Sequence, residues 1–400
     1  MAESAQALSF AGRSQTAVLR PPRRRPSGRR VLTTVVFLAA IVLAAAFLVR
    51  NLGENLAARG MSVSFDFMLR PAGFDIPIRA IPFTPRDTYL HAALVGMTNT
   101  LLVSCLAVIT ATVLGFLGGA ALLSRNPLLA RTSLWLIDLV RNTPQLLVLL
   151  FFYTVSLRAL PSARDSLALG DAAFLNVRGL FLPALAAGPA GMPEVGLTAG
   201  TWAVILLAAA PVLLFAPFAL KRRLLLAAAA IALGAGLAAW LFATGAWQLE
   251  KPILRGFNFR GGVQIVPELV ALWIGLAVYA AAFIADLVRG AVLAVPRGQE
   301  EAAAAIGLRP AQILWLVRVP QALRILVPPL ISQYLNVIKS STLGLAIAYP
   351  EIMAVVAGTT LNQTGHAIET MLIVLVFFLA LNLLISFLIN LYNRRLVGRT

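Results

Sequence analysis

The chain has 400 residues, 60% of them apolar and only 12% charged, yet 33 Lys and Arg outnumber 16 Asp and Glu for a formal charge of +17. Soluble domains carry about 25% charged residues, so a water-soluble enzyme is excluded: the charged shell is too thin for this much apolar surface. The apolar fraction also excludes a disordered basic tail, and nucleic-acid binding requires the cations to share one face with aromatic or amide readers among them.

A hydrocarbon layer about 30 Å thick needs about 20 apolar residues per helix. In chain order, eight runs meet that need: 31–49, 92–123, 132–157, 201–220, 224–243, 268–288, 325–356 and 368–391. The predicted fold class is therefore all-α and polytopic. Residues 158–200 and 244–267 are punctuated by Pro and Gly and read as irregular loops. The Arg-rich start (Arg23, Arg24, Arg25, Arg29, Arg30) precedes an apolar run longer than an export signal needs, which reads as an uncleaved anchor.

With the N-terminus in the cytoplasm and spans alternating, twenty Lys and Arg fall on the cytoplasmic side and eleven on the other, where nine acids offset them. This bias predicts that both termini are cytoplasmic. Nearly all of the +17 then belongs to one membrane surface, so no nucleic-acid face is expected, and membrane lipid is the expected surroundings. The lone Cys105 and the isolated His91 and His366 give no disulfide framework and no metal-ligand cluster, so no cofactor is expected.

The loop 294–329 is basic and partly amphipathic. Alanine-rich residues after Gln299 favour a short helix, Gly307 ends it, and Pro310 suits the first turn of a second. Two short helices with a fixed bend make a handle for a partner's groove or, alternatively, a membrane-interfacial segment.

This loop resembles the EAA motif of membrane subunits of ABC importers: Glu301, Ala302, Ala303, then Gly307, then Val317, Val319 and Pro320, with Val at the motif's Ile and Leu positions. The flanks YAAAFIADLVRG (279–290) and PQALRILVPPLISQYLNVIKSSTL (320–343), with GMTNTLLVS (96–104) and LVRNTPQLL (139–147), are similar to the polar amino-acid branch. Residues 55–76 and TTLNQTGHAIE (359–369) resemble the larger permease of general L-amino acid importers.

The resemblance implies a type I importer transmembrane domain of the bacterial inner membrane. It divides the chain into a basic N-terminus (1–30), a first span with a periplasmic loop (31–87), a first part of the permease core (88–157), inserted loops with two extra spans (158–264), a second core part carrying the EAA loop (265–393) and a tail (394–400). It also implies the partners: a cytoplasmic ATP-binding subunit dimer, a second permease forming a heterodimer, and a periplasmic amino-acid-binding protein. Glu301, Ala302, Ala303, Gly307 and Pro320 would couple to the ATPase. The residues agree that this chain is not itself the ATPase: its only lysines are Lys221, Lys251 and Lys339, none after a glycine, so no P-loop exists.

Polar groups at membrane depth are costly and tend to face cavities. Candidates for the substrate pathway are Asn99 and Thr100, Arg141, then Gln333, Asn336 and Lys339 on one helical face, and Ser341. Lys339 or Arg141 would attract a substrate carboxylate, and Asn and Gln oxygens would meet its ammonium. The alternative is that these groups tie helices together. Gly115 and Gly119 predict a close helix contact, and Asp286 with Arg289 and Asp138 with Arg141 predict local ion pairs. Two rival functions stand beside the importer: an ion-coupled secondary amino-acid carrier, which calls for mid-span acids and inverted repeats, and a non-transporting membrane scaffold.

Overall fold

The computed structural model describes residues 28–58, 63–170, 172–187, 220–244, 247–256 and 258–397. The predicted span 201–220, all but its last residue, and the arginines at positions 23–25 lie outside the described residues. The chain forms two units that part after Ser64. In the first, helix α1 (Gly28–Ala58) extends beyond the apolar run, because Arg50 pairs with Glu54 at 2.7 Å and Asn55 Nδ2 donates to Asn51 O at 2.8 Å.

The second unit is built on α2 (Tyr89–Leu122) and α6 (Pro267–Leu293). The Thr88 hydroxyl caps α2 by accepting from the His91 N–H at 3.3 Å, while Pro267 at the first turn and Glu268 suit the start of α6. Gly115 and Gly119 let the two helices touch: a Cβ on Gly115 would sit 2.5 Å from Ile284 Cγ2, and one on Gly119 2.6 Å from Val288 Cβ. The buried core joins Val103, Ala107 and Ala111 of α2 to Leu272, Leu276 and Ile284 of α6. Leu and Phe side chains on other faces are exposed, as a lipid-facing surface requires.

The predicted span 132–157 is not one straight helix. It is α3 (Pro127–Arg141) and α4 (Gln145–Arg158), bent by 102°. Pro144 has no N–H to donate and disfavours helical geometry at Thr143, so the helix stops there. Asn126 starts α3 by accepting from the Leu128 N–H at 2.9 Å.

The loops expected to be irregular carry short strands instead: β1 (Leu167–Leu169), β2 (Ala173–Asn176), β3 (Gly179–Leu182) and β4 (Ala184–Ala187), then, after α5 (Leu220–Ala243), β5 (Trp247–Glu250), β6 (Ile253–Arg255), β7 (Asn258–Arg260) and β8 (Val263–Ile265). They form an antiparallel sheet in the order β1-β2-β3-β8, a long-range antiparallel pair β4-β5, and a local pair β6-β7. Strands of three or four residues are too short to show alternation. What joins them is long-range: Leu180 pairs with Ile265, and the Phe259 ring lies 4.6 Å from Phe174 and 4.9 Å from Phe181.

After α6 comes α7 (Arg297–Ala305), and then α8, made of Pro310–Gln312, a π-helical Ile313–Arg318 and Val319–Ser340 in succession. The second helix of the loop is therefore not short: it runs on into the predicted span 325–356, which in turn ends early. Pro320 removes the N–H that would bond Leu316, and the ladder widens beside it, with the Val319 N–H bonding Leu314 O five residues back. A 3-10 turn (Ser341–Ile347) closes α8, and Ala348 takes a left-handed φ of 58°. The chain continues as α9 (Met353–Thr360, then Leu361–Thr364) and α10 (Ala367–Val397). Among the described residues, five helices are long and apolar enough to span a membrane, or six with the bent α3–α4 pair counted as one, against the eight runs expected.

Candidate functional site

Two regions hold the predicted functional residues. The first is the EAA loop. In α7, Ala303 is buried while Glu301 and Ala302 are exposed. The helix ends in a Schellman motif: the Gly307 N–H bonds Ala304 O at 2.9 Å and the Leu308 N–H bonds Ala303 O at 3.2 Å. This turn needs φ of +83° at Gly307, a conformation open to glycine at little cost. Gln312 Oε1 accepts from the Arg309 N–H at 2.9 Å to start α8.

The angle between α7 and α8 is held by Arg318. Its Nε lies 3.0 Å from Glu300 Oε1 and 3.4 Å from Val292 O, so one guanidinium ties α7, α8 and the end of α6 together. Glu300, which sequence reasoning did not single out, is thus the structural acid, and its neighbour Glu301 is left exposed. A groove of ≈ 950 Å³ opens between this loop and the end of α2, with Leu123, Arg125, Leu293, Glu301 and Leu314 among its walls. Ile306 projects at 78% exposure. Pro320 is exposed and follows the π-helical segment.

The second region is a cavity of ≈ 300 Å³ among α4, α6 and α8. Gln333, Asn336 and Lys339, one α8 face, line it together, with Ser340. Opposite stand Gln145, the first residue of α4, and Tyr279 and Phe283, one turn apart on α6 with ring centroids 5.1 Å apart. The Ser340 hydroxyl donates to Gln145 Oε1 at 3.0 Å. Sequence reasoning missed Gln145, Tyr279 and Phe283. Gln145 carried a usable signal: it directly follows the proline that breaks the span.

The other pathway candidates lie elsewhere. Asn99 is 1% exposed and fully engaged: its Oδ1 accepts from the Ala80 N–H at 2.9 Å, and its Nδ2 donates to Ile78 O at 2.8 Å and to Pro350 O at 2.9 Å. The Thr100 hydroxyl donates to Gly96 O at 2.9 Å and accepts from the Ile352 N–H at 3.0 Å. Ser341 is buried and bonds Ile338 O at 2.7 Å. Asn99 and Thr100, with the Tyr349 hydroxyl that donates to Asn99 O at 3.2 Å, clamp the break between α8 and α9 onto α2, whereas the Ser341 bond stays at the end of α8.

Arg141 is the last residue of α3. Its Nη1 is 2.9 Å from Asp286 Oδ2 in α6 and 3.9 Å from Asp138, and its guanidinium carbon lies 5.4 Å from the Phe283 ring centre. Asp286 therefore pairs across helices with Arg141, not with Arg289 one turn along: the bend after α3 brings the longer-range cation to it.

Of the segment 55–76, the part from Phe65 onward meets the segment 359–369 at the start of α2. The Phe67 ring stacks on His366 at 4.6 Å, the Tyr89 hydroxyl donates to Gln363 Oε1 at 2.9 Å, and His366 Nδ1 lies 3.1 Å from Glu369 Oε1. Nearby, Asp87 Oδ2 accepts from the Thr84 N–H at 2.6 Å and the Thr84 hydroxyl at 3.0 Å, which holds its carboxyl below the usual carboxylate range.

Comparison with known proteins identifies relatives of this chain. Residues 195–398 match the family described as binding-protein-dependent transport system inner membrane component. The chain is 43% identical to a putative amino-acid ABC transporter permease protein, YhdX, of Escherichia coli, over 93% of this chain and 95% of that protein. It is 38% identical to the general L-amino acid transport system permease protein AapQ of Rhizobium johnstonii, over 97% and 96% respectively. A glutamate/glutamine/aspartate/asparagine transport system permease protein, BztB, of Rhodobacter capsulatus is 35% identical over 91% of this chain and 92% of its own length. The chain is thus a membrane-spanning permease, a member of the binding-protein-dependent transport system inner membrane component family.

Proposed function

We propose that this chain moves L-amino acids from periplasm to cytoplasm by alternating access, as one of two non-identical permease subunits, with both termini cytoplasmic. A periplasmic binding protein delivers the substrate, and a separate ATPase dimer, docked on the 294–329 loop, supplies the energy. The amino-acid assignment follows the transport roles named for the three relatives. The orientation rests on the cytoplasmic excess of Lys and Arg.

The observation that carries the coupling is the rigid α7–α8 corner. Its Schellman turn at Gly307 and its Arg318–Glu300 brace fix a projecting, partly apolar surface that a partner can push without bending it. The passage is assigned to the cavity at Lys339: its lining offers a cation and amide groups to a zwitterion, and polar groups at membrane depth are otherwise expensive. Arg141, engaged by Asp286, braces α3 to α6.

The test is Gly307→Val in the assembled importer. A β-branched residue at φ of +83° is strained by about 1–2 kcal/mol or more, so the ATPase should cease to co-purify and ATP-dependent uptake should fall. Uptake that persists in the absence of any ATPase would overturn the importer reading.

A further inference from the structure

The cavity among α4, α6 and α8 has an unbalanced charge. Among its described lining residues Lys339 is the single charged group, and no carboxylate faces it. Lys339 forms no ion pair among the described residues. The amides do not compensate. Gln145 has spent its oxygen on the Ser340 hydroxyl at 3.0 Å, so what it presents to a ligand is its N–H pair. Behind the Phe283 ring the Arg141 guanidinium, 5.4 Å from the ring centre, is already paired with Asp286 at 2.9 Å, so it adds no free cation to the wall.

An amino acid entering here brings its own ammonium and carboxylate. Gln333 and Asn336 can give oxygens to the ammonium, and Lys339 can meet a carboxylate. The side chain then decides the balance. A second carboxylate, or an amide oxygen, finds donors in Lys339 and Gln145. A guanidinium or second ammonium finds no anion in the lining and is repelled by Lys339.

Resting on the import reading above, we infer that this cavity is a charge filter within the membrane domain, selecting acidic amino acids and their amides over cationic ones, with Lys339 as the residue that sets the preference. The filter acts in the permease itself, after delivery by the binding protein.

The test is equilibrium binding of radiolabelled glutamate, glutamine and arginine to the complete transporter complex in nanodiscs without binding protein, alongside ATP-driven uptake by the same complex with binding protein. Wild type should bind glutamate at least tenfold more tightly than arginine. Lys339→Gln should weaken glutamate at least tenfold more than it weakens glutamine, and Lys339→Arg should restore the preference. Equal binding of glutamate and arginine, an equal loss for all three ligands in Lys339→Gln, or no saturable binding to wild type would each overturn the filter. If uptake stays intact in that case, only this inference fails. Absence of ATP-driven uptake of any amino acid would instead overturn the import reading.

Discussion

Two polar clusters sit within one helix bundle and are built from the same residue types, yet they keep opposite accounts. Around Asn99 and Thr100 every donor and acceptor named above is spent: three hydrogen bonds for the amide and two for the hydroxyl, all to backbone of the 78–80 loop, of α2 or of the 350–352 break. Around Lys339 the groups face a cavity, and among the described residues the only bond between lining side chains is Ser340 to Gln145. The lesson is that a polar residue at membrane depth declares its role through its unspent hydrogen-bonding capacity and not through its identity. A spent cluster holds the fold, whereas an unspent one is left for a ligand or a partner.

The contrast can be attacked directly. Asn99→Leu orphans the Ala80 N–H and two carbonyls, each costing about 1–3 kcal/mol when buried, so thermal unfolding of the purified complex should reveal a loss of about 3 kcal/mol and poor assembly. A wild-type melting profile would dissolve the distinction. Thr100→Val keeps the shape but strands the Ile352 N–H, for a loss of about 1–2 kcal/mol; if stability is unchanged while uptake falls, Thr100 belongs with the ligand-facing group. Lys339→Ala should do the reverse of both, leaving assembly and melting unchanged while uptake drops at least tenfold, the equivalent of about 1.4 kcal/mol. Normal uptake kinetics would remove the lysine from the passage.

The smallest effect is expected at Asp87. Hydrogen bonds from Thr84 keep its folded pKa below the ordinary 3.8, so its stabilisation is complete above that value and fades as pH falls through the folded one. Asp87→Asn should flatten the stability profile only over that acid window and leave neutral behaviour alone. A change in the melting point near pH 7 would mean that Asp87 does more than hold the turn before α2.

How much of this was legible depended on range. The EAA corner was readable because its causes are local: Ala303, Gly307 and Leu308 make one turn, and glycine at φ of +83° is its ordinary solution. The Gly115 and Gly119 contact was readable for the same reason, although its partner Ile284 was not. Other features required the fold. The 102° bend turns on Pro144, whose effect on direction no apolar count contains. The Asp286 partner came from another helix instead of the next turn. Of the short strands from 167 to 265, β3 with β8 and β4 with β5 pair across a long insertion, and none is long enough to show periodicity.

The sequence by itself determined the solvent. An apolar fraction of 60%, gathered in runs of about 20 residues, demands a bilayer. Only the tertiary structure decided which polar residues are structural and which are free to act. Hydrogen-bond satisfaction is a relation between groups brought together from distant positions: Asn99 meets Pro350, and Gln145 meets Ser340, only after the helices have packed.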